Sequence, residues 1–247
     1  MSETRDDLIS PQTPLPQILC EDGPLLAVNK PAGLLTQGVP EGLPTLEGWV
    51  RDHLKRTYDK PGKVYLGIPH RLDRPVSGVI VFARNSKAAA RLAEQFRERT
   101  VRKWYLAMVE GTPSPPTDRL SDWLLKDAEA AHVCVVPAHV SHAKLAELSY
   151  EVLSSHDGRS LVRIELHTGR MHQIRVQLAA LGCPVVGDRQ YGATTAFPGI
   201  EPTDARTEVI ALHAEHLELK HPIRYDLIRL SAPLPASWQA FGVTTND

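Results

Sequence analysis

The chain has 247 residues, a formal net charge of −1, 42% apolar residues and 23% charged residues. These values are typical of a globular protein, and they argue against a protein that holds nucleic acid by its overall charge. The three cysteines are far apart and form no CxxC pair, so neither a disulfide framework nor a cysteine-zinc site is expected. The N-terminus is polar and no apolar run approaches about 18 residues, which predicts a cytoplasmic protein without a membrane span.

In chain order, the proline-rich residues 1–16 predict a loosely ordered tail, and residues 17–240 predict a single domain. Residues 25–29, of which the first four are apolar, predict a buried strand, which Pro31 and Gly33 end so that Lys30 is exposed. Thr45 is a predicted N-cap for a helix whose buried side is Leu46, Trp49, Val50 and Leu54.

The most informative stretch is residues 68–84, where one carboxylate lies among cations ahead of an apolar strand. Asp73 follows His70 and Arg71 and precedes Arg74, so its neighbours favour the ionised form. Ser77 and Gly78 are turn residues before the predicted strand, which places Asp73 on a loop at the edge of a sheet. An ionised carboxylate there suits a nucleophile or a base, although a structural ion pair that anchors a turn fits the same residues.

A second amphipathic helix is predicted from Lys87 to about Arg99, capped by Asn85 or Ser86. Its predicted inner face consists of Ala89, Leu92, Ala93 and Phe96. Residues 84–103 carry seven cations, Arg91 and Lys103 among them, against two carboxylates, an excess of five. A solvated face usually mixes the two signs, so this excess favours phosphate binding.

Residues 103–109 predict a strand on which Tyr105 and Lys103 share one face, while Trp104, Leu106 and Met108 form the core face. A tyrosine on the more polar face can stack on a planar ligand, or it can simply fill a half-buried sheet surface.

Strands at about 132–136, 147–154 and 160–166 predict an antiparallel meander, with a hairpin turn at residues 156–159. Thr168 is the predicted cap of a helix from about Arg170 to Leu181, and Arg175 falls within its apolar stripe. A buried arginine needs a carboxylate partner, and Asp73 is the predicted one. Residues 193–208 predict a surface loop, and strands near 209–213, 215–219 and 226–230 close the chain.

Several of these stretches together resemble the RluA-type pseudouridine synthases, in the order and spacing of that family. The resemblance covers about residues 17–235 and rests on six motifs: residues 29–33, 70–78, 103–107, 169–176, 187–192 and 212–222. It implies an α/β (α+β) fold in which a mixed, mainly antiparallel sheet is flanked by helices. It also implies a member that lacks the small N-terminal RNA-binding (S4-like) domain of many relatives.

The activity implied by the resemblance is the isomerisation of uridine to pseudouridine in rRNA or tRNA. The N1–C1′ bond is cleaved, the uracil rotates, and the base is rejoined through C5. Asp73 corresponds to the family's essential aspartate, which acts as a nucleophile at C1′ or as a base at C2′. Arg175 corresponds to the arginine that pairs with it, and Tyr105 to the tyrosine that stacks on the base. No metal, no cofactor and no obligatory protein partner is implied.

The same resemblance places Arg71 in the space left by the extruded base. We expect further RNA contacts from a set of basic residues, which consists of His70, Arg74, Arg91, Lys103, Arg170 and His172. Three departures from the family pattern concern these contacts more than the chemistry: residues 75–76 are Pro-Val, Met171 replaces a small hydroxyl residue, and Gln177 replaces a common histidine.

Two alternatives belong to other classes. The pairs His139/His142 and His213/His216 have a spacing possible for a metal hydrolase, but neither pair has a clear third ligand nearby in the sequence. The other alternative is an RNA-binding protein without catalysis, against which the intact Asp73 argues.

Overall fold

The computed structural model describes residues 14–38, 43–127, 131–200 and 208–243. The chain forms two compact units. Unit 1 consists of Met1–Val101 and Ala214–Pro235, and unit 2 consists of Arg102–His213 and Ala236–Asp247. The predicted tail at residues 1–16 lies almost wholly outside the described residues, and the single domain over 17–240 stays a prediction.

The described residues contain three α-helices and ten strands. The helices are α1 (Leu46–Tyr58), α2 (Ser86–Arg97) and α3 (Gln173–Ala180). The strands are β1 (Gln17–Asp22), β2 (Leu25–Lys30), β3 (Ser77–Ala83), β4 (Arg102–Glu110), β5 (Thr117–Lys126), β6 (Val133–Val136), β7 (Lys144–His156), β8 (Arg159–Leu166), β9 (Leu212–Lys220) and β10 (Leu227–Ser231). The expected class, a mainly antiparallel sheet with helices, is confirmed.

Unit 1 is built on β2 and β3, an antiparallel pair in which Ala27 lies opposite Val81. Every residue of β3 is buried, which is why its sequence is a continuous apolar run. β1 pairs antiparallel with β2, and β10 with β9. β1 was not predicted, because its sequence is more polar and its residues are only half-buried.

The two helices of unit 1 begin where the sequence predicts. The Thr45 hydroxyl accepts a hydrogen bond from the Gly48 amide at 3.1 Å, and the Asn85 side chain accepts one from Ala88 at 2.8 Å. The buried residues of α1 include the four predicted. In α2 the prediction was wrong for Ala93, which is exposed, while Ala88 and Leu92 are buried.

The strands of unit 2 are ordered β4-β8-β7-β5-β6, all paired antiparallel. The predicted meander was wrong in one respect, because β5, which was not predicted, lies between β7 and β6. Only Leu124 of strand β5 is buried and its first half is polar, so it lacks the long apolar run on which the other predictions relied. The hairpin turn is confirmed: Asp157 and Gly158 have positive φ values and connect β7 to β8.

Helix α3 differs from the prediction at its N-terminus. It begins at Gln173, its N-cap is His172 with φ of 52°, and residues 173–178 are all buried. Thr168 does not cap it. Instead, the Thr168 hydroxyl accepts from the Glu147 amide and donates to the Gln173 side chain at 2.7 Å, so it ties the approach to α3 to strand β7.

Two smaller expectations were also corrected. The described part of the predicted surface loop, residues 193–200, is irregular, but Phe197 in it is buried and contacts Phe241. The two strands predicted near 209–213 and 215–219 are a single strand, β9, which begins at Leu212. No helix among the described residues meets the length and hydropathy needed to cross a membrane.

Candidate active site

In unit 1, Asp73 lies on a turn immediately before β3, as predicted. Its side chain is half-buried and that of Arg71 is exposed. The Asp73 carbonyl accepts a hydrogen bond from the Val76 amide at 3.2 Å, which closes the turn. A carboxylate in this position is reachable from solvent while its main chain is held by a buried strand.

The segment of residues 30–36 holds the main chain on both sides of Asp73. On one side, the Thr36 hydroxyl donates to the Leu72 carbonyl at 2.8 Å and accepts from the Leu72 amide at 3.4 Å. On the other side, the Arg74 carbonyl accepts from the Gly33 amide at 2.8 Å and from Lys30 Nζ at 3.1 Å. These bonds fix the carbonyl and amide groups that flank the aspartate, so the loop is preorganised.

Lys30 is fully buried, so the predicted exposure of this lysine was wrong. Its Nζ donates to three main-chain carbonyls, those of Pro31 at 2.9 Å, Leu34 at 2.8 Å and Arg74 at 3.1 Å. Three acceptors match the three hydrogens of an ammonium group. Proline and glycine did end the strand, but the turn they create folds back over the lysine rather than exposing it.

Burial lowers the pKa of Lys30 to about 7, with the Asp73 carboxylate acting in the opposite direction and Arg74 adding to the decrease. The lysine is therefore within electrostatic range of the candidate catalytic residue. The negative charge of Asp73 favours the charged form of Lys30, and burial opposes it.

His70 is held by main chain and by an aromatic ring. Its Nε2 accepts a hydrogen bond from the Val81 amide at 3.0 Å, and its ring stacks on Phe96 at a centroid distance of 4.4 Å. Arg91 is similarly engaged, since it donates to the Pro222 carbonyl at 2.7 Å and its guanidinium lies 5.1 Å from the Tyr225 ring centroid. These contacts stabilise unit 1, which weakens the case for these two predicted RNA-binding side chains.

In unit 2, Arg175 forms a buried ion pair with Asp188. Arg175 Nε and Nη2 lie 2.6 and 2.7 Å from the two carboxylate oxygens, and Nη2 also donates to Gln190 at 2.9 Å. The side chains of the pair are 3% and 0% exposed. The buried arginine therefore has the carboxylate that its position required, but the partner shown within unit 2 is Asp188. The pairing of Arg175 with Asp73 stays a prediction.

Tyr191 connects Arg175 to the N-terminus of α3. Its ring centroid lies 4.9 Å from the Arg175 guanidinium, and its hydroxyl is 2.8 Å from His172 Nδ1. The same hydroxyl accepts from the Val133 amide at 3.1 Å, and the ring stacks on His132. Tyr191 thus holds the predicted RNA-binding histidine and the predicted catalytic arginine in one cluster.

A second basic group of unit 2 surrounds the approach to α3. Lys103 Nζ lies 3.5 Å from the Thr168 carbonyl, and Arg170 Nε donates to the Leu145 carbonyl at 3.1 Å. Tyr105, on the same strand as Lys103, is half-buried. The prediction for the core face of β4 was only partly right, because Trp104 is half-buried beneath the Arg102 guanidinium, 4.4 Å from its ring centroid.

Comparison with known proteins identifies the family to which the chain belongs. The model of the family described as RNA pseudouridylate synthase matches residues 24–180. The dual-specificity RNA pseudouridine synthase RluA of Escherichia coli K12 is 36% identical over 229 residues, which are 90% of this chain and 95% of that protein. The chain belongs to the RNA pseudouridylate synthase family. It is an isomerase that makes pseudouridine in RNA.

Other relatives differ in length and in named substrate. The ribosomal large subunit pseudouridine synthase D of Nitrosomonas europaea is 35% identical over 227 residues, 89% of this chain but 62% of that protein. The tRNA pseudouridine synthase C of Pasteurella multocida is 35% identical, over 90% of this chain and 93% of that protein. Among solved structures, human RNA pseudouridylate synthase domain containing 4 has a TM-score of 0.75 and 27% identity, covering 93% of this chain and 95% of its own.

For this family member, the predicted site residues divide between the two units. Asp73, His70, Arg71, Arg74 and Arg91 belong to unit 1, and Tyr105, Arg175, Lys103, Arg170 and His172 belong to unit 2. Their convergence in one cleft stays a prediction.

Sequence reasoning missed Lys30 and Thr36 as anchors of the Asp73 loop, and Asp188 as the partner of Arg175. For Lys30 and Asp188 the available signal was that they lie in two stretches of the family resemblance, Asn29–Gly33 and Gly187–Asp188, whereas Thr36 lies in neither.

The two histidines of the second pair in the metal alternative have separate contacts. His213 is buried and packs edge-on against Trp238, while His216 Nδ1 is 2.8 Å from the Ser231 hydroxyl. Among the residues that the structure describes, no group of three or more His, Cys, Asp or Glu side chains is arranged to hold a metal ion.

Proposed function

We propose that this enzyme converts specific uridines of structured rRNA or tRNA to pseudouridine, with Asp73 as the ionised catalytic group. The observation that supports this most strongly is the anchoring of the Asp73 loop: bonds to Leu72 and Arg74 flank a half-buried carboxylate that solvent can reach. Family membership supplies the reaction, and this geometry supplies a reason to assign it to Asp73.

The reaction breaks the N1–C1′ bond and forms a C5–C1′ bond, so the hydrogen at C5 leaves as a proton and N1 gains one. Asp73 acts on the ribose in either of two ways, by attacking C1′ or by removing a proton from C2′. Both roles require the carboxylate form. A loop held at both ends keeps the carboxylate in place during the rotation of the base.

The target uridine has to leave its stack to reach a carboxylate on the protein, which costs a few kcal/mol. Arg71 is exposed and two residues from Asp73, a position suited to occupy the vacated space. Tyr105 is half-buried, which suits stacking on the extruded base. Lys103 and Arg170 present positive charge near the start of α3 and are the proposed contacts to phosphate.

The relatives that resemble this chain act, by their names, on two classes of RNA. The names of the relatives include a large-subunit rRNA enzyme, a tRNA enzyme and a dual-specificity enzyme, at nearly equal identity. We therefore propose rRNA or tRNA as the substrate.

The test is tritium release from C5-tritiated uridine in separate rRNA and tRNA fractions. Wild-type enzyme should release tritium from at least one fraction, and Asp73→Asn should release none while retaining its affinity for RNA. Asp118→Asn, which changes an exposed carboxylate at the start of β5, is the matched control and should behave as wild type.

Two outcomes would contradict the proposal. Release by Asp73→Asn at the wild-type rate would remove the aspartate from the chemistry. RNA binding by the wild type without release from either fraction, or from precursor RNA, would favour a binding protein that lacks catalysis.

A further inference from the structure

A surface of unit 1 at the C-terminal end of α1 combines exposed cations with exposed aromatic rings. We call it the Tyr58 surface and define it by Lys55, Arg56, Tyr58, Lys60, Lys63, Tyr65 and Arg84. Residues 55–63 are all exposed, and within residues 55–65 four cations face one carboxylate, Asp59. The whole chain has a net charge of −1, so this excess of positive charge is local.

The helix itself explains only part of this charge. Lys55 and Arg56 lie in the last turn of α1, where cations interact favourably with the helix dipole. Lys60 and Lys63 lie beyond the end of the helix, so the dipole gives no reason for them. Two tyrosines of this surface, Tyr58 and Tyr65, have 40% and 49% of their area exposed.

Tyr58 is held in place although it is exposed. Its hydroxyl donates to Glu21 at 2.5 Å, and the Arg84 guanidinium lies 4.2 Å from the ring centroid. Lys60 Nζ is 5.7 Å from the same centroid. A fixed ring among guanidinium and ammonium groups is the arrangement on which an unpaired base can stack while its phosphate meets a cation.

The carboxylate that holds Tyr58 is itself kept ionised. Burial would raise the pKa of Glu21, but hydrogen bonds from Tyr58 and His53 outweigh burial and lower it. His53 Nε2 lies 2.6 Å from this carboxylate, and the Arg84 guanidinium lies 3.5 Å from it. Glu21 therefore fixes the orientation of the ring and of Arg84 at the inner edge of the surface.

The Tyr58 surface is distant from the candidate catalytic residue. Gly67, two residues after Tyr65, pairs with Ala83 at the end of β3, whereas Asp73 lies just before the start of β3 at Ser77. The six residue steps between Ser77 and Ala83 span about 20 Å at 3.3 Å per residue. A ligand on the Tyr58 surface is thus well separated from the reacting uridine.

We propose that the Tyr58 surface is a second RNA-binding site, which holds a single-stranded segment of the substrate about 20 Å from the modified uridine. This inference rests on the proposed function, because it assumes an RNA substrate. The exposed aromatic rings favour RNA over an acidic protein or an anionic membrane, since stacking requires bases while charge alone would serve the other two. Rings and cations together predict binding that tolerates many base sequences.

The first test measures the affinity for a fluorescent 30-nucleotide oligouridylate by anisotropy, as a function of KCl concentration. Lys60→Glu/Lys63→Glu should weaken binding by roughly tenfold or more, and its plot of log K against log salt should be shallower by about 1.4, the value for two lost phosphate contacts on a single strand. The matched control, Lys126→Glu/Lys220→Glu, makes the same change of net charge at exposed lysines outside the surface, and it should lose much less.

The second test separates stacking from charge. Tyr65→Ala should weaken binding by roughly tenfold, and Tyr65→Phe should restore it, because a ring without the hydroxyl still stacks. Both variants keep the net charge, so the salt dependence should stay that of the wild type. Tyr65 lies outside the Asp73 loop. Both variants should therefore convert uridine at the wild-type rate in a short stem-loop that reaches only the active site.

A third measurement uses the wild-type protein alone and does not depend on the folding of any variant. Oligouridylate containing 4-thiouridine is cross-linked by light, and the modified peptide is identified by mass spectrometry. Cross-links in residues 55–65 support the proposal, and their absence, with cross-links only elsewhere, overturns it.

The remaining outcomes are also decisive. Equal losses in the lysine variant and in its control would show a general charge effect and overturn the site. If Lys60→Glu/Lys63→Glu no longer bound vesicles of anionic lipid but kept its affinity for RNA, the surface would be a membrane-binding site instead. Failure of the proposed function is distinct from all of these, because it appears as absent tritium release and leaves the oligouridylate measurements unaffected.

Discussion

Replacing Lys30 by methionine should destabilise the protein in a way that depends on pH. Methionine has a similar length, but it cannot donate the three hydrogen bonds that Lys30 Nζ makes to the carbonyls of Pro31, Leu34 and Arg74. In the variant the Arg74 carbonyl still accepts from the Gly33 amide. The carbonyls of Pro31 and Leu34 lose the hydrogen bond from the lysine.

The size of the effect follows from the number of carbonyls affected. A buried polar group left without a partner costs about 1–3 kcal/mol, so two of them predict a loss of roughly 2–6 kcal/mol in the free energy of unfolding. At acidic pH the loss is offset in part, because the variant no longer has to bury an ammonium group.

The direction of the pH dependence can be worked out from the shifted pKa. The pKa of Lys30 is about 7 in the folded protein and 10.5 in its ordinary state, so between these values the unfolded chain binds more protons than the folded one. The wild type therefore gains stability relative to Lys30→Met as the pH rises through this window, at up to about 1.4 kcal/mol per pH unit. Below pH 7 both states are protonated and the difference should level off.

The assay is equilibrium unfolding in urea, followed by tryptophan fluorescence and by far-UV circular dichroism, at pH 6, 7, 8 and 9. The deficit of Lys30→Met should be smallest at pH 6 and should grow towards pH 9. Lys60→Met, at an exposed position, is the control and should unfold like the wild type at each pH. A deficit that is largest at pH 6 would refute the reasoning, because it would mean that the fold raises the pKa of Lys30.

Three further variants test other parts of the structure. Gly78→Ala should fail to give folded protein in an expression and solubility assay, because Gly78 has φ of 119° and a Cβ there would lie 2.2 Å from the Ala214 carbonyl oxygen. Asn85→Ala should lower the free energy of unfolding by about 1 kcal/mol in urea, through loss of the α2 cap. Arg175→Met should lower the free energy of unfolding by about 3–5 kcal/mol, since Asp188 is left buried without its arginine. The double variant Arg175→Met/Asp188→Asn should recover part of this loss. Full stability of the single variant would contradict the buried pair.

The elements that could be predicted are those whose signal is local. Helices α1 and α2 begin directly after Thr45 and Asn85 because the polar side chain of each accepts from the amide three residues on, and such caps are visible in the sequence. Strand β3 was predictable because it is buried throughout, and residues 79–83 are all apolar. The loop position of Asp73 followed from that strand and from the turn residues before it.

The features that were missed depend on contacts between distant parts of the chain. Lys30 is buried because its carbonyl acceptors include Arg74, 44 residues away, and a local pattern of proline and glycine contains no trace of that contact. The start of α3 was misplaced for the same reason. Thr168 has the properties of a cap, but its hydroxyl is used by Glu147 and Gln173, which tie it to β7.

The burial of Arg175 correctly predicted that it pairs with a carboxylate, but it did not identify Asp188 as that carboxylate. Its place within an apolar helix required a carboxylate, and Asp188 supplies one with two short bonds. The prediction that Arg175 pairs with Asp73 came from the cationic surroundings of Asp73 and from the family resemblance, and it stays a prediction. Replacing Arg175 removes the partner of a buried carboxylate, whatever its part in the reaction. The Arg175→Met variant therefore tests the fold before it tests the chemistry, and its activity is informative only beside the measured stability.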